Sequence, residues 1–60
     1  MNSLENLPPK VLLSVINTKL RDYYHTLDEL CDDLHLDKDK IIQKLASINY
    51  NYDEKLNQFI

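Results

Sequence analysis

Residues 26–52 read TLDELCDDLHLDKDKIIQKLASINYNY, and this stretch decides the fold. Thr26 followed by Glu29 matches a capping box, in which the threonine hydroxyl accepts from the amide of Glu29 and the glutamate carboxylate accepts from the amide of Thr26. Behind this start, apolar residues at i, i+3, i+4 and i+7 form one stripe, which predicts helix 2 over residues 27–34. The members of this stripe are Leu27, Leu30, Cys31 and Leu34.

A second helix start follows almost at once. Asp37 is suited to cap helix 3 over residues 38–48, because its carboxylate can accept from free amides at the positive end of the helix dipole. Leu36 and Ile41 can close over this start as a hydrophobic staple. The short connection predicts a helix-turn-helix, in which His35 takes the positive-φ position where glycine is commonest. The buried stripe of helix 3 is formed by Ile41, Ile42, Leu45 and Ile48.

After helix 3 the hydrophobic period changes from 3.6 to 2, which predicts a hairpin over residues 50–60. An isolated hairpin is marginal in water, so Tyr50, Tyr52 and Phe59 are expected to anchor it to the helices. The chain contains no glycine, and asparagine must therefore occupy the left-handed positions. The two candidates are Asn49 after helix 3 and Asn57 in the hairpin turn.

The first half of the chain supplies one more helix. Pro8 and Pro9 suit a first helical turn, which predicts helix 1 over residues 9–23 after a lead, residues 1–7, that folds back through its leucines. The core face of helix 1 is formed by Leu12, Leu13, Ile16 and Leu20. The 60 residues thus predict one domain of the α+β class, mostly α. It is a three-helix bundle containing a helix-turn-helix, with a short C-terminal β-hairpin, in the manner of a miniature winged helix.

Composition narrows the class of protein. The hydrophobic fraction is 43%, which is enough for a core, although a domain of this size has a stability of only a few kcal/mol. No segment approaches the roughly 18 apolar residues of a membrane span, and no basic start leads into a signal peptide. The single cysteine cannot form an internal disulfide. We therefore expect a cytoplasmic protein.

Enzymatic chemistry and metal binding have little support in the sequence. Cys31 falls on the buried stripe of helix 2, where a thiol is usually inert. His25 and His35 lie at opposite ends of that helix, roughly 15 Å apart at about 1.5 Å per residue, and cannot share one ion. There is no glycine-rich phosphate loop. The chain is expected to be neither an enzyme nor a cofactor-binding protein.

Helix 3 is a candidate nucleic-acid contact, because the second helix of a helix-turn-helix enters the major groove. Gln43 is suited to read adenine. Lys38, Lys40 and Lys44 are suited to meet phosphates. Against this, residues 37–48 carry three lysines and two aspartates, a balance of +1, and the whole chain carries −3. Affinity for duplex DNA depends on neutralising several phosphates, so the other reading is a solvated helix face with paired charges.

A protein partner or a second copy of the chain is the other candidate. Helix 1 has a broad apolar face and ends in cations and aromatics that suit an acidic partner, whereas helix 2 offers four acidic residues to a basic one. The candidate contacts are Val11, Val15, Lys19, Arg21, Tyr23, Asp28, Asp32 and Asp33. Each of these features also has a purely structural explanation. The apolar face of helix 1 can be part of a core that the N-terminal lead covers, and its cations can interact with the negative end of the helix dipole. The acidic residues of helix 2 can maintain solubility.

Three segments resemble a known family. The segments are VLLSVINTKLRDYY at residues 11–24, LDELCDDL at residues 27–34 and LASINYNYDEKLNQF at residues 45–59. They are similar to a small bacterial family typical of Firmicutes, the domain-of-unknown-function family 4250, which has about this length. The second half also resembles helix-turn-helix domains that end in a Tyr-x-Tyr-Asp hairpin, with Asn49 and His35 where those sequences usually place glycine. The resemblance implies a bacterial cytoplasmic origin and this fold, and it implies no activity.

The sequence therefore predicts a domain that acts as a protein-interaction or self-association module. The alternative is a small nucleic-acid-binding regulator that reads DNA with helix 3.

Overall fold

The computed structural model describes residues 3–60. A 3-10 turn over Ser3–Asn6 precedes three α-helices and an antiparallel two-stranded hairpin at the C-terminus, so the predicted fold class is confirmed. The elements are α1 (Pro9–Asp22), α2 (Leu27–Leu34), α3 (Lys38–Ala46), β1 (Tyr52–Asp53) and β2 (Gln58–Phe59). No helix within residues 3–60 is long and apolar enough to cross a membrane.

The two helix starts are capped by side chains, with one difference from the sequence prediction. The Thr26 hydroxyl accepts from the Glu29 N–H at 3.0 Å, and the Asp37 carboxylate accepts from the N–H groups of Asp39 and Lys40. The Glu29 carboxylate, however, accepts from the N–H of His25 at 2.9 Å and not from that of Thr26. Thr26 has the extended backbone that is usual for an N-cap residue, with φ −145° and ψ 160°.

The turn between α2 and α3 contains the predicted left-handed residue. His35 has φ 56°, and the last turn of α2 closes around it as a Schellman motif. In that motif the Leu36 N–H donates to the Cys31 carbonyl at 2.8 Å, and the His35 N–H donates to the Asp32 carbonyl. Leu36 and Ile41, the predicted staple, are both buried in the core.

Helix α3 ends at Ala46, two residues before the predicted Ile48. The final turn tightens, because the Ile48 N–H donates to the Leu45 carbonyl three residues back. A second Schellman closure follows, in which the Tyr50 N–H returns to the Leu45 carbonyl at 3.0 Å. Asn49 occupies its left-handed position with φ 66°, as predicted. Similarly, α1 stops at Asp22, and Tyr23 caps it in place of extending it.

One core joins all of these elements. It consists of Leu12, Ile16, Leu20, Leu27, Leu30, Cys31, Leu36, Ile41, Leu45 and Phe59. Leu4 and Leu7 pack against it from the N-terminal lead, which folds back as predicted; the first two residues of that lead lie outside the described part of the chain. The single aromatic member of the core comes from the hairpin, which therefore belongs to the same packing unit as the helices.

The hairpin has a short and well-defined register. Tyr52 faces Phe59 and Asp53 faces Gln58, while Asn51 and Ile60 exchange two backbone hydrogen bonds of 2.9 Å. The Tyr52 and Phe59 rings lie 5.5 Å apart and both pack on the helices. The expectation that Tyr50 would also anchor the hairpin is wrong, because Tyr50 is exposed. Its backbone completes the closing turn of α3, which places it outside the strand pleat.

Candidate partner-binding surface

The lysines of α3 all lie against oxygen atoms of the same chain. The Lys38 ammonium is 2.7 Å from the Asp28 carboxylate, a hydrogen bond that raises the pKa of Lys38. The Lys44 ammonium donates to the Glu5 carbonyl at 2.7 Å, and the Lys40 ammonium lies 4.0 Å from the Glu5 carboxylate. A phosphate would therefore compete with Asp28 for Lys38, with Glu5 for Lys40 and with a backbone carbonyl for Lys44.

Glu5 holds the N-terminal lead against the start of α3. Its carboxylate accepts from the Asp37 N–H at 2.8 Å, at the positive end of the helix. The lead therefore contacts the end of α3 that would enter a DNA groove, although residues 37–40 remain exposed. Gln43 is exposed on the same helix, and its side chain makes no hydrogen bond within residues 3–60.

Acidic residues of α2 make contacts within the chain as well. Asp28 pairs with Lys38, and the Asp33 carboxylate accepts from the Tyr24 hydroxyl, a hydrogen bond that raises the pKa of Tyr24. The Asp32 carboxylate is exposed and makes no hydrogen bond or ion pair with the described residues. All four acids of α2 remain exposed, and within residues 3–60 Asp28 alone among them pairs with a lysine, so the acidic face keeps most of its charge.

The outer face of α1 keeps the apolar character that the sequence predicts. Val11 is 47% exposed and Val15 is half-buried. Ser14 and Thr18 complete a stripe at i, i+3, i+4 and i+7, so the four side chains share one side of the helix. Small and β-branched residues on an exposed helix face allow close approach of another chain.

The end of α1 carries an ordered ion pair. The Arg21 guanidinium binds Asp22 through two parallel hydrogen bonds, Nε to Oδ1 at 2.9 Å and Nη2 to Oδ2 at 3.0 Å. These bonds raise the pKa of Arg21 and lower the pKa of Asp22. On another side of the helix the Lys19 ammonium lies 5.9 Å from the ring centroid of Tyr23, which is 72% exposed.

A groove runs between α1 and the hairpin turn, with a volume of about 480 Å³. We call it the α1–hairpin groove. Its lining residues are Ser14, Asn17, Thr18, Leu20, Arg21, Leu56, Asn57 and Gln58. Leu56 is 58% exposed at its rim, which leaves an apolar side chain in solvent beside the Arg21 guanidinium. The groove therefore combines a cation, hydroxyl groups and an apolar edge within one concave surface.

Asn17 ties the two walls of the groove together at one end. Its amide nitrogen donates to the Phe59 carbonyl at 3.1 Å, and its amide oxygen accepts from the Phe59 N–H at 2.8 Å. The side chain thus binds the outer edge of β2 as a neighbouring strand would. This pair of hydrogen bonds fixes the distance between α1 and the hairpin.

Asn57 ties the walls at the other end. Its amide nitrogen donates to the carbonyls of Leu20 and Tyr24, at 3.1 and 2.9 Å, which lie at the end of α1. Its amide oxygen accepts from the Tyr52 hydroxyl at 2.6 Å, and that hydroxyl accepts from the Leu27 N–H. One asparagine therefore connects the turn, β1 and two helices.

Comparison with protein families identifies a family for this sequence. The model of the family described as Domain of unknown function (DUF4250) matches residues 6–59. The chain belongs to the DUF4250 family. No curated protein and no solved structure matches it.

In this DUF4250 domain Arg21 lines the groove and is among the partner contacts predicted from the sequence. Arg21 was singled out from its position at the end of a helix, but Leu56 and Gln58 were not, since they reach the groove only through the hairpin. Asn17 could have been recognised as a structural residue. It lies four positions after Leu13, on the edge of the core stripe, where a polar side chain requires a partner.

The residues with soft metal-ligating atoms, one cysteine and two histidines, lie apart from one another in the structure. Cys31 is buried, and burial raises the pKa of its thiol. His25 and His35 are both exposed at the ends of α2. The described part of the chain holds no group of three histidine, cysteine or acidic residues that could bind a metal ion.

Proposed function

We propose that this DUF4250 domain is a non-enzymatic protein-interaction module of the bacterial cytoplasm, in Firmicutes, and that its contact surface is the α1–hairpin groove with the adjoining outer face of α1. The observation that carries the proposal is the groove itself. Both of its walls are held by asparagine hydrogen bonds, while Leu56 and Arg21 stay exposed at its rim.

The asparagine ties matter because they shape the surface before a partner arrives. Binding to a preformed site costs less conformational entropy than binding to one that must be ordered. Concave surfaces with a few polar groups and apolar edges are where ligands bind most often. Charged groups of α2 and α3 also make contacts within the chain, as Arg21 does with Asp22, so the shape of the groove and not its charge favours this surface.

Site-specific crosslinking in living cells tests this proposal. A photoreactive phenylalanine derivative is placed at Leu56 on the groove rim or, as a matched control, at Gln43 on α3; both positions are exposed. We expect discrete protein adducts from position 56, and their loss when Ser14→Trp fills the groove. Adducts from position 43 with none from position 56 would contradict the proposed surface.

Self-association is one form that this module could take, and the apolar stripe on α1 is its candidate interface. Val11→Lys with Val15→Lys places two charges on that stripe, which should prevent burial against a second copy. In that form the wild-type domain gains mass with concentration in light scattering, whereas the double variant remains a monomer. A wild-type domain that is already a monomer at all concentrations would exclude this form.

The alternative is a helix-turn-helix regulator in which α3 reads DNA through Gln43 and Lys38, Lys40 and Lys44. The exposure of Gln43 favours it, and the contacts of the three lysines with Asp28 and Glu5 oppose it. An NMR titration of the isotope-labelled domain with mixed-sequence duplex DNA at roughly 50 mM salt separates the two functions. For a protein-interaction module we expect no change in the backbone amide chemical shifts. Shifts on residues 38–46 that fade with salt and disappear in Lys40→Glu with Lys44→Glu would establish DNA binding instead.

A further inference from the structure

We propose that the α1–hairpin groove binds an extended, acidic peptide segment of a partner protein, with Arg21 as the residue that holds a carboxylate of that segment. This inference rests on the proposed function and adds the chemistry of the partner to it.

The groove offers a straight row of hydrogen-bond donors. Ser14, Thr18 and Arg21 follow one another at spacings of four and three residues along α1, so the row is about 10 Å long at roughly 1.5 Å per residue. An extended peptide advances about 3.3 Å per residue, so three to four of its residues match this length. The Ser14 and Thr18 hydroxyls make no hydrogen bond with the described residues and are available to peptide carbonyls.

The opposite wall is suited to the side chains of such a peptide. Leu56 presents an exposed apolar surface from the hairpin turn, and Gln58 presents an exposed amide from β2. Alternate side chains of an extended peptide point to opposite sides. An apolar residue can therefore pack on Leu56 while its neighbour faces the donors of α1.

The charge of this part of the molecule favours an acidic ligand. Among the residues that line the groove Arg21 is the one charged side chain. Lys10 and Lys19 lie elsewhere on α1, where the charges of the helix give a balance of 3 − 1 = +2 in a chain that carries −3 in total. Of the two acids near the hairpin turn, Asp53 is directed into the turn, since its carboxylate accepts from the N–H groups of Lys55 and Leu56. Glu54 lines other parts of the surface.

Arg21 retains donors for a second carboxylate. A guanidinium carries five N–H groups, and the two bonds to Asp22 use the edge formed by Nε and Nη2. The edge formed by Nη1 and the second Nη2 hydrogen remains free for another two-bond contact with a carboxylate. Asp22 thus orients the guanidinium and at the same time competes with the ligand for its charge.

Two matched peptides test this chemistry. The labelled domain is titrated at low salt with the capped peptides Glu-Leu-Glu-Leu-Glu and Gln-Leu-Gln-Leu-Gln, and backbone amide shifts are followed by NMR. We expect the acidic peptide to shift amides of residues 14–21 and 56–58 and to bind about tenfold more tightly than the neutral one, the effect of one charge-assisted contact.

Two substitutions should change the affinity for the acidic peptide in opposite directions. Arg21→Gln should lower it to the level of the neutral peptide, whereas Asp22→Asn should raise it by removing the competing carboxylate. Both residues are exposed, and the dispersion of each variant's spectrum verifies its fold.

Equal binding of the two peptides in the groove would overturn the acidic specificity and leave a docking surface without it. Shifts of the same amides with protein concentration alone would overturn it in favour of a second copy as the occupant. Absence of any shift would overturn the peptide site, while crosslinking at position 56 decides separately whether the groove is a contact surface.

Discussion

Replacement of Phe59 by alanine is expected to remove a large part of the free energy of unfolding of the domain. Phe59 is 1% exposed and supplies the only aromatic side chain of the described core. Truncation of a buried phenylalanine to alanine costs about 3–5 kcal/mol. A 60-residue domain at roughly 0.05–0.15 kcal/mol per residue has a total stability of about 3–9 kcal/mol. The loss should appear as a fall in the thermal midpoint of about 12–40 °C, since 1 kcal/mol shifts the midpoint of a domain of this size by about 4–8 °C.

The neighbouring residue provides the control for this substitution. Ile60 also follows the hairpin turn but is 53% exposed, so Ile60→Ala should change the free energy of unfolding by less than about 1 kcal/mol. If Phe59→Ala retained the wild-type melting temperature, the three helices would form a sufficient core by themselves. The hairpin would then be an appendage, and the groove that it forms with α1 would lose its structural basis.

The large effect of Phe59 follows from how little the hairpin can contribute alone. Each strand has two residues, and such a hairpin is not independently stable. Phe59 buries its ring among the helices while Asn17 binds its backbone N–H and carbonyl. One residue thus provides both the apolar and the polar attachment of the hairpin to α1.

The features that could be predicted from the sequence are local ones. Thr26 and Asp37 were recognised as caps, because a cap and the amides that it binds lie within three residues of each other. The left-handed positions of His35, Asn49 and Asn57 were also predicted, since a chain without glycine leaves few residues that tolerate positive φ. The lengths and the amphipathic spacing of the helical segments then predict the three-helix arrangement.

The features that could not be predicted depend on contacts between distant parts of the chain. The Glu5 carboxylate meets the Asp37 amide across 32 residues, and Asn17 meets Phe59 across 42. No periodicity records such a pair, because each partner is positioned by the packing of whole helices. For the same reason the candidate surface was only partly identified, since its α1 wall follows from helical spacing and its hairpin wall follows from tertiary structure.

Replacement of Asn57 by alanine is expected to be the second most damaging change, through loss of polar contacts. Asn57 has φ 52°, and its side chain makes three hydrogen bonds, to the carbonyls of Leu20 and Tyr24 and from the Tyr52 hydroxyl. Each bond contributes a net of about 0.5–1.5 kcal/mol, and alanine adds a cost of about 1–2 kcal/mol at positive φ. Denaturant unfolding should therefore show a loss of about 3–5 kcal/mol.

Asn49 separates these two contributions. It has φ 66°, yet its side chain makes no hydrogen bond with the described residues, so Asn49→Ala should show only the backbone cost of about 1–2 kcal/mol. The difference between the two variants then measures the side-chain network that joins the hairpin to α1. Equal losses would mean that the network contributes no net stability, and the groove walls would be held by Phe59 and Asn17 alone. A larger loss at Asn57 would instead show that the shape of the groove and the stability of the fold depend on the same hydrogen bonds, as expected for a surface that is formed before its partner binds.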